Sequence, residues 1–341
     1  MPADSWLDVA RMAGCVGVVA SAAVPAGLVC RELARRQPSG PVRRGWVPWT
    51  GFEVVVAFLV VGSVVPAFVG ALLTSSGLYQ QVYGPDFPVS GTADPAAAAA
   101  RGLWIGLFAT PLQLGGLWIV RRQLYPTPVT GIIDPRRKFA SVAAGVRWWV
   151  ILTPPVLVVH AGVNALFTGL GWAAEDHPLT HLGIDRPAVD RVLFVFQAGV
   201  AAPLLEEVLF RGVLLRWLVW GRGLPAERRV WVVLVVAVGV AAATGGGTSL
   251  GSELFALVLL AGWAGLRLRE RKRRTAGGVY ASAALFAAVH SAVWPTPIPL
   301  FLFGLGLGWV AVRTNSILAP VVVHGLFNTV SVLFVLSGGS G

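Results

Sequence analysis

The sequence predicts an all-α polytopic membrane bundle of about eight to ten spanning helices. Three observations carry this reading: long apolar runs recur from end to end, charge is scarce, and the loops between the runs alternate in sign. Hydrophobic residues make up 55% of the 341 and charged residues only 13%, with a mean hydropathy of +0.72. Soluble domains are about a quarter charged. The net charge of +11 comes mostly from arginines in short loops, the pattern that orients a membrane protein. This disfavours a nucleic-acid partner and makes the lipid bilayer the first partner.

A spanning helix needs about 20 apolar residues. Runs of this kind lie near 9–30, 50–73, 99–120, 140–170 and 191–220. Two short ones follow near 230–243 and 253–266, then 278–293, 298–312 and 316–338. Asp4 and Asp8 precede the first run without a basic segment, so it reads as a retained span rather than a cleaved signal. Cys15 and Cys30 both lie in that run and read as small buried side chains, not a disulfide framework. The 75–97 loop, with Pro85, Pro88 and Pro95, is a turn-rich connection. The glycines of 244–252 lack a P-loop lysine and strand–helix setting, so they read as a turn, not a phosphate cradle.

Loop charge orders these spans. Arg31, Arg35, Arg36, Arg43 and Arg44 follow the first run; Arg121, Arg122, Arg136, Arg137 and Lys138 follow the third. Arg222, Arg228 and Arg229 follow the fifth, and the Arg267–Arg274 segment carries a further basic cluster. The intervening loops hold Asp86 and Asp94, then Glu175, Asp176, Asp185 and Asp190 against Arg186. The positive-inside rule therefore puts the basic loops in the cytoplasm and both termini outside.

Ionisable residues inside apolar runs are costly and mark function. Glu206 and Glu207 stand side by side in one such run, with Arg211 a turn later. At about 100° per residue, Glu207 and Arg211 are i,i+4 neighbours that can pair, while Glu206 faces elsewhere. A second run ends in Phe286-Ala-Ala-Val-His290, and the last holds His324-Gly-Leu-Phe-Asn328, whose polar ends share a helix face. His160, alone in its run, reads as a packing residue. His177 and His181 are also i,i+4, but Pro178 between them argues against a metal site there. Gly304 and Gly308 have the small-xxx-small spacing of closely packed helices.

These residues resemble the CPBP family of intramembrane proteases, also called the CAAX-processing or Abi family. Its pattern is Glu-Glu-x-x-x-Arg, then Phe-x-x-x-His, then His-x-x-x-Asn on successive membrane helices. The Phe303–Gly308 segment, with Thr314, Ser316, Leu318 and Pro320 after it, resembles the family's glycine helix and following turn. The resemblance covers roughly residues 190–335, so the chain divides into 1–190, helices without a recognised motif, and 191–338, a CPBP-like catalytic bundle. One departure stands inside it: an extra short hairpin at about 230–266 separates Arg211 from His290. An even number of added crossings preserves orientation.

The resemblance implies an intramembrane endopeptidase acting on a membrane-associated protein or peptide, in a multi-pass protein of the cell (plasma) membrane. Glu206 would be the general base, with His290 holding the water. His324 and Asn328 would donate to the oxyanion, and Glu207, Arg211 and Phe286 would orient the set. Cofactors stay open: a Glu with two His is a zinc-type donor set, but no His-Glu-x-x-His helix is present, and the preferred mechanism is metal-free. Two other classes were weighed. A non-proteolytic binding or immunity protein would not require the full polar set, and a transporter would be expected to show a broken-helix repeat.

The charge alternation makes a direct topological prediction. In a Cys-free background, single cysteines in the 75–97 loop should react with an impermeant reagent in intact cells. Cysteines in the 267–274 loop should not, and their labelling would reverse the orientation.

Overall fold

The computed structural model describes residues 47, 49–91, 94–124, 138–171, 187–221, 223–244, 255–264 and 274–337. Among these, the regular elements are all helical. In chain order they are α1 (Gly51–Ser75), α2 (Leu78–Tyr83), α3 (Pro95–Leu124), α4 (Lys138–Gly169) and α5 (Ala188–Trp220). Then follow α6 (Ala226–Thr244), α7 (Phe255–Ala264), α8 (Arg274–Ala288), α9 (Pro297–Thr314) and α10 (Leu318–Leu336).

Six helices among the described residues are long and apolar enough to cross a membrane: α1, α3, α4, α5, α9 and α10. The protein is an integral membrane protein. α6 has the length, but Glu227, Arg228 and Arg229 crowd its first turn, while α7 and α8 are shorter apolar helices. The hairpin expected near 230–266 is therefore α6 and α7. The expected first span with Cys15 and Cys30, most of the basic loop residues, His177, His181 and the glycine turn after Thr244 lie outside the described residues.

Local chemistry sets the helix ends. Thr50 and Glu53 form a capping box on α1: Phe52 N–H donates to Thr50 Oγ1 at 3.3 Å, and Thr50 N–H to Glu53 Oε2 at 2.9 Å. Asp94 Oδ1 accepts from Ala96 and Ala97 N–H at the start of α3. Asn315, at φ 49°, turns the chain out of α9, and Ser316 Oγ then accepts from Leu318 N–H at 3.1 Å to open α10.

The chain forms two compact units, each built from separated stretches: Val150–Glu175 with Leu214–Asn315, and Pro48–Trp149 with Asp176–Val213 and Ser316–Gly341. The boundary expected near 190 separates stretches with and without motifs, and compactness divides the chain otherwise. In the first unit α8 is the enclosed element, with Ala281, Ala283, Ala284, Phe286, Ala287 and Ala288 all at 0% exposure. The glycines of α9 explain how a helix comes so near. A Cβ at Gly304 would lie 3.2 Å from Ala283 Cα, and one at Gly308 would lie 3.1 Å from Val279. In the second unit Ala99 and Leu103 of α3, Leu193 and Phe194 of α5 and Val332 of α10 make a shared core. That core seats α5 beside α10.

Candidate active site

α5 is not a uniform helix. A π-turn at Gln197–Ala201 precedes Ala202–Glu207, and a second at Val208–Leu214 follows it. Each wide turn shifts the helix phase, so the two glutamates sit on a short α-helical piece between two breaks in register. Such π-turns occur frequently at functional sites.

Glu207 and Arg211 form the pair that their spacing suggests. Arg211 Nη1 donates to Glu207 Oε1 at 2.7 Å, and both side chains are fully buried. The same Oε1 lies 2.9 Å from Nδ1 of His324 on α10, a contact that helical phase within α5 could not reveal. A carboxylate oxygen only accepts, so Nδ1 carries the proton and Nε2 faces away from Glu207. Nε2 is 3.9 Å from Glu206 Oε2. Glu206 is the more open of the two carboxylates, at 27% side-chain exposure, and Oε2 of each is buried without a hydrogen-bond partner.

Asn328 takes a different partner from His324. Its Nδ2 donates to the carbonyl of Ala198 in the first π-turn of α5, at 3.1 Å. His324 and Asn328 thus take different partners in this structure, and of the two Asn328 amide hydrogens one is committed and the second remains. Two glycines let the helices meet here. A Cβ on Gly325 would lie 2.5 Å from Gly199 O, and one on Gly199 would lie 2.5 Å from Thr329 Oγ1. The sequence reading passed over both, although Gly325 sits inside the His324–Asn328 motif.

Phe286 and His290 belong to the other unit. His290 stands just past the last turn of α8, and its Nδ1 donates to Phe286 O at 2.7 Å, since a carbonyl only accepts. Its ring lies 5.0 Å from that of Phe286. Nε2 is the ring nitrogen that the hydrogen bond to Phe286 O leaves uncommitted. Ser291, fully buried, donates to Ala288 O and meets Thr244 Oγ1 of α6 at 2.7 Å, so the extra hairpin is tied to the turn that carries His290. His160 has a local partner, Asn164 Nδ2 at 3.1 Å. No group of three or more His, Cys, Asp or Glu side chains among the described residues is arranged to hold a metal ion.

Residues 188–274 and 259–330 match the family described as type II CAAX prenyl endopeptidase Rce1-like. An "Uncharacterized 24.3 kDa protein" of Escherichia coli is 26% identical over 218 residues, covering 63% of this chain and 72% of its own. No solved structure matches the chain. The match points to the class of CAAX-type intramembrane proteases. Residues 188–330, less than half of the chain, are thus similar to a family of hydrolases of the CAAX prenyl endopeptidase type.

Burial separates the two glutamates in a stability measurement. Glu207→Gln leaves Arg211 without its carboxylate and should cost about 3–5 kcal/mol, the usual penalty for breaking a buried pair. Glu206→Gln, partly exposed and outside that pair, should leave the thermal midpoint in detergent within a degree or two of wild type. Equal losses in the two variants would contradict the separation.

Proposed function

We propose that the protein cleaves a peptide bond in a membrane-associated protein or peptide of the cell membrane, with Glu206 as general base. The observation that carries this is a partly exposed carboxylate inside a membrane-spanning helix, 3.9 Å from His324 Nε2 and next to a fully buried carboxylate that Arg211 and His324 hold. An ionisable side chain inside a membrane-spanning helix is costly and marks function.

In this reading Glu206 takes a proton from water as the water oxygen attacks the scissile carbonyl carbon. The family pattern, Phe-x-x-x-His, assigns His290 to the handling of that water. The oxyanion receives hydrogen bonds from the second amide hydrogen of Asn328 and from His324. Because His324 Nδ1–H is engaged by Glu207, Nε2 can donate only from the doubly protonated ring. The tetrahedral intermediate then collapses: the C–N bond breaks, and the proton on Glu206 passes to the leaving amine.

Glu207 and Arg211 orient His324, and Phe286 holds His290 through its carbonyl. The mechanism runs on these side chains without a metal. CAAX substrates are those named for the family, and a C-terminal, lipid-associated tail is the substrate class proposed here.

Membrane-proteome cleavage products should distinguish cells carrying the wild type from cells carrying Glu206→Gln. The variant should lose turnover by roughly three orders of magnitude or more while remaining folded, since general-base catalysis alone contributes about 10²–10⁴-fold. Strong chelators should leave wild-type turnover unchanged. Retained cleavage by Glu206→Gln would remove the base assignment, and chelator inhibition would replace the metal-free scheme.

A further inference from the structure

Two helices of the unit that holds Glu206 are interrupted in the same register. α1 has its π-turn at Val60–Val64 and α5 at Gln197–Ala201. In each, the third residue is glycine (Gly62, Gly199), and a proline (Pro66, Pro203) follows the residue that closes the turn. The closing bonds are matched as well: Val65 N–H donates to Val60 O, and Ala202 N–H to Gln197 O.

The next bond of each ladder should run from Pro66 to Val61 O and from Pro203 to Ala198 O. Proline has no N–H. The position one residue earlier cannot substitute, because its N–H has been spent on the preceding carbonyl. A backbone carbonyl left unserved inside a membrane helix is costly. Both helices meet this with a carboxamide from a neighbour. Gln113 Nε2 of α3 donates to Val61 O at 2.7 Å, and Asn328 Nδ2 of α10 donates to Ala198 O at 3.1 Å. Gln113 is itself buried, as is Val61.

The α1 copy bears on the catalytic helix. Phe58, one turn before Val61, packs edge-to-face on Phe210 of α5 with ring centroids 5.2 Å apart. Trp49, just ahead of α1, donates its indole N–H to Val213 O at 3.2 Å, in the second π-turn of α5. Phe210 adjoins Arg211, the cation that holds Glu207. The angle at which α1 emerges from its break therefore bears on the turn carrying the glutamates.

We propose that Gln113, outside the stretch that matches the family, is a positioning residue for the catalytic helix. Gln113 and Asn328 are paired caps, each supplying the hydrogen-bond donor that a proline withholds. The link to turnover rests on the reading of α5 as the catalytic helix; the capping itself does not.

The test restores the missing N–H. In the full-length detergent-solubilised protein, Gln113→Met, which keeps volume and removes the donor, should lower Tm by several degrees. It should also lower kcat on a reporter peptide on the order of tenfold, with KM unchanged. Pro66→Ala gives Val61 O a backbone donor, so Gln113→Met with Pro66→Ala should match Pro66→Ala alone in both Tm and kcat. A polar residue that merely filled space would gain nothing from a backbone N–H, and a double variant as impaired as the sum of its singles overturns the proposal. Should Gln113→Met fail to fold, the yield of folded protein with and without Pro66→Ala gives the same answer.

Asn328→Leu with Pro203→Ala forms the second arm. Recovery of Tm without turnover is expected, because Asn328 also serves the oxyanion. Recovery of neither overturns the capping. Recovery of both upholds the capping and removes Asn328 from the oxyanion site instead. A wild type that cleaves no reporter removes the protease reading, and the Tm comparison still decides the caps.

Discussion

One carboxylate oxygen, Oε1 of Glu207, accepts from Arg211 on its own helix and from His324 on another. Everything else in this unit is arranged so that this buried junction can exist. Two charges and an imidazole removed from water are tolerable only with close geometry and mutual hydrogen bonds. Here they are 2.7 and 2.9 Å apart. The junction ties α5 to α10 and leaves Glu206, one residue earlier, with an oxygen that no hydrogen bond uses.

The helices could not meet there as regular cylinders. Wide turns on both sides of Ala202–Glu207 set the phase of the glutamates, and Gly199 and Gly325 remove the side chains that would hold α5 and α10 apart. The π-turn and Pro203 also expose a carbonyl, and Asn328 satisfies it. Irregular backbone is tolerated at membrane depth only when its polar groups are served within the protein. The recurrence of that solution at Val61 and Gln113 shows the same constraint acting on a helix without recognised catalytic residues.

Much of this was legible from the chain. Long apolar runs identified the spanning helices, the i,i+4 spacing identified the Glu207–Arg211 pair, and Gly304 and Gly308 identified the tight α8–α9 crossing. The π-turns were not legible, because periodicity arguments assume 3.6 residues per turn and an inserted residue leaves no compositional mark. For that reason the partner of Asn328 was missed, since nothing in His-x-x-x-Asn points to a carbonyl 130 residues away. Gln113 was invisible for a related cause: a single carboxamide in an apolar run has no meaning until the carbonyl it serves is known. His324 was read as facing the oxyanion, and its ring also faces Glu207 because two helices distant in sequence pack at a glycine pair.

The central claim is that Glu207 and His324 act as one buried unit. A double-mutant cycle on thermal unfolding, with Glu207→Gln, His324→Gln and the pair, measures it most directly. The account predicts strong non-additivity, a coupling of about 1–3 kcal/mol, as for residues sharing one network. Losses that simply add would contradict it, because the two side chains would then be independent and the junction between α5 and α10 would not hold the site together.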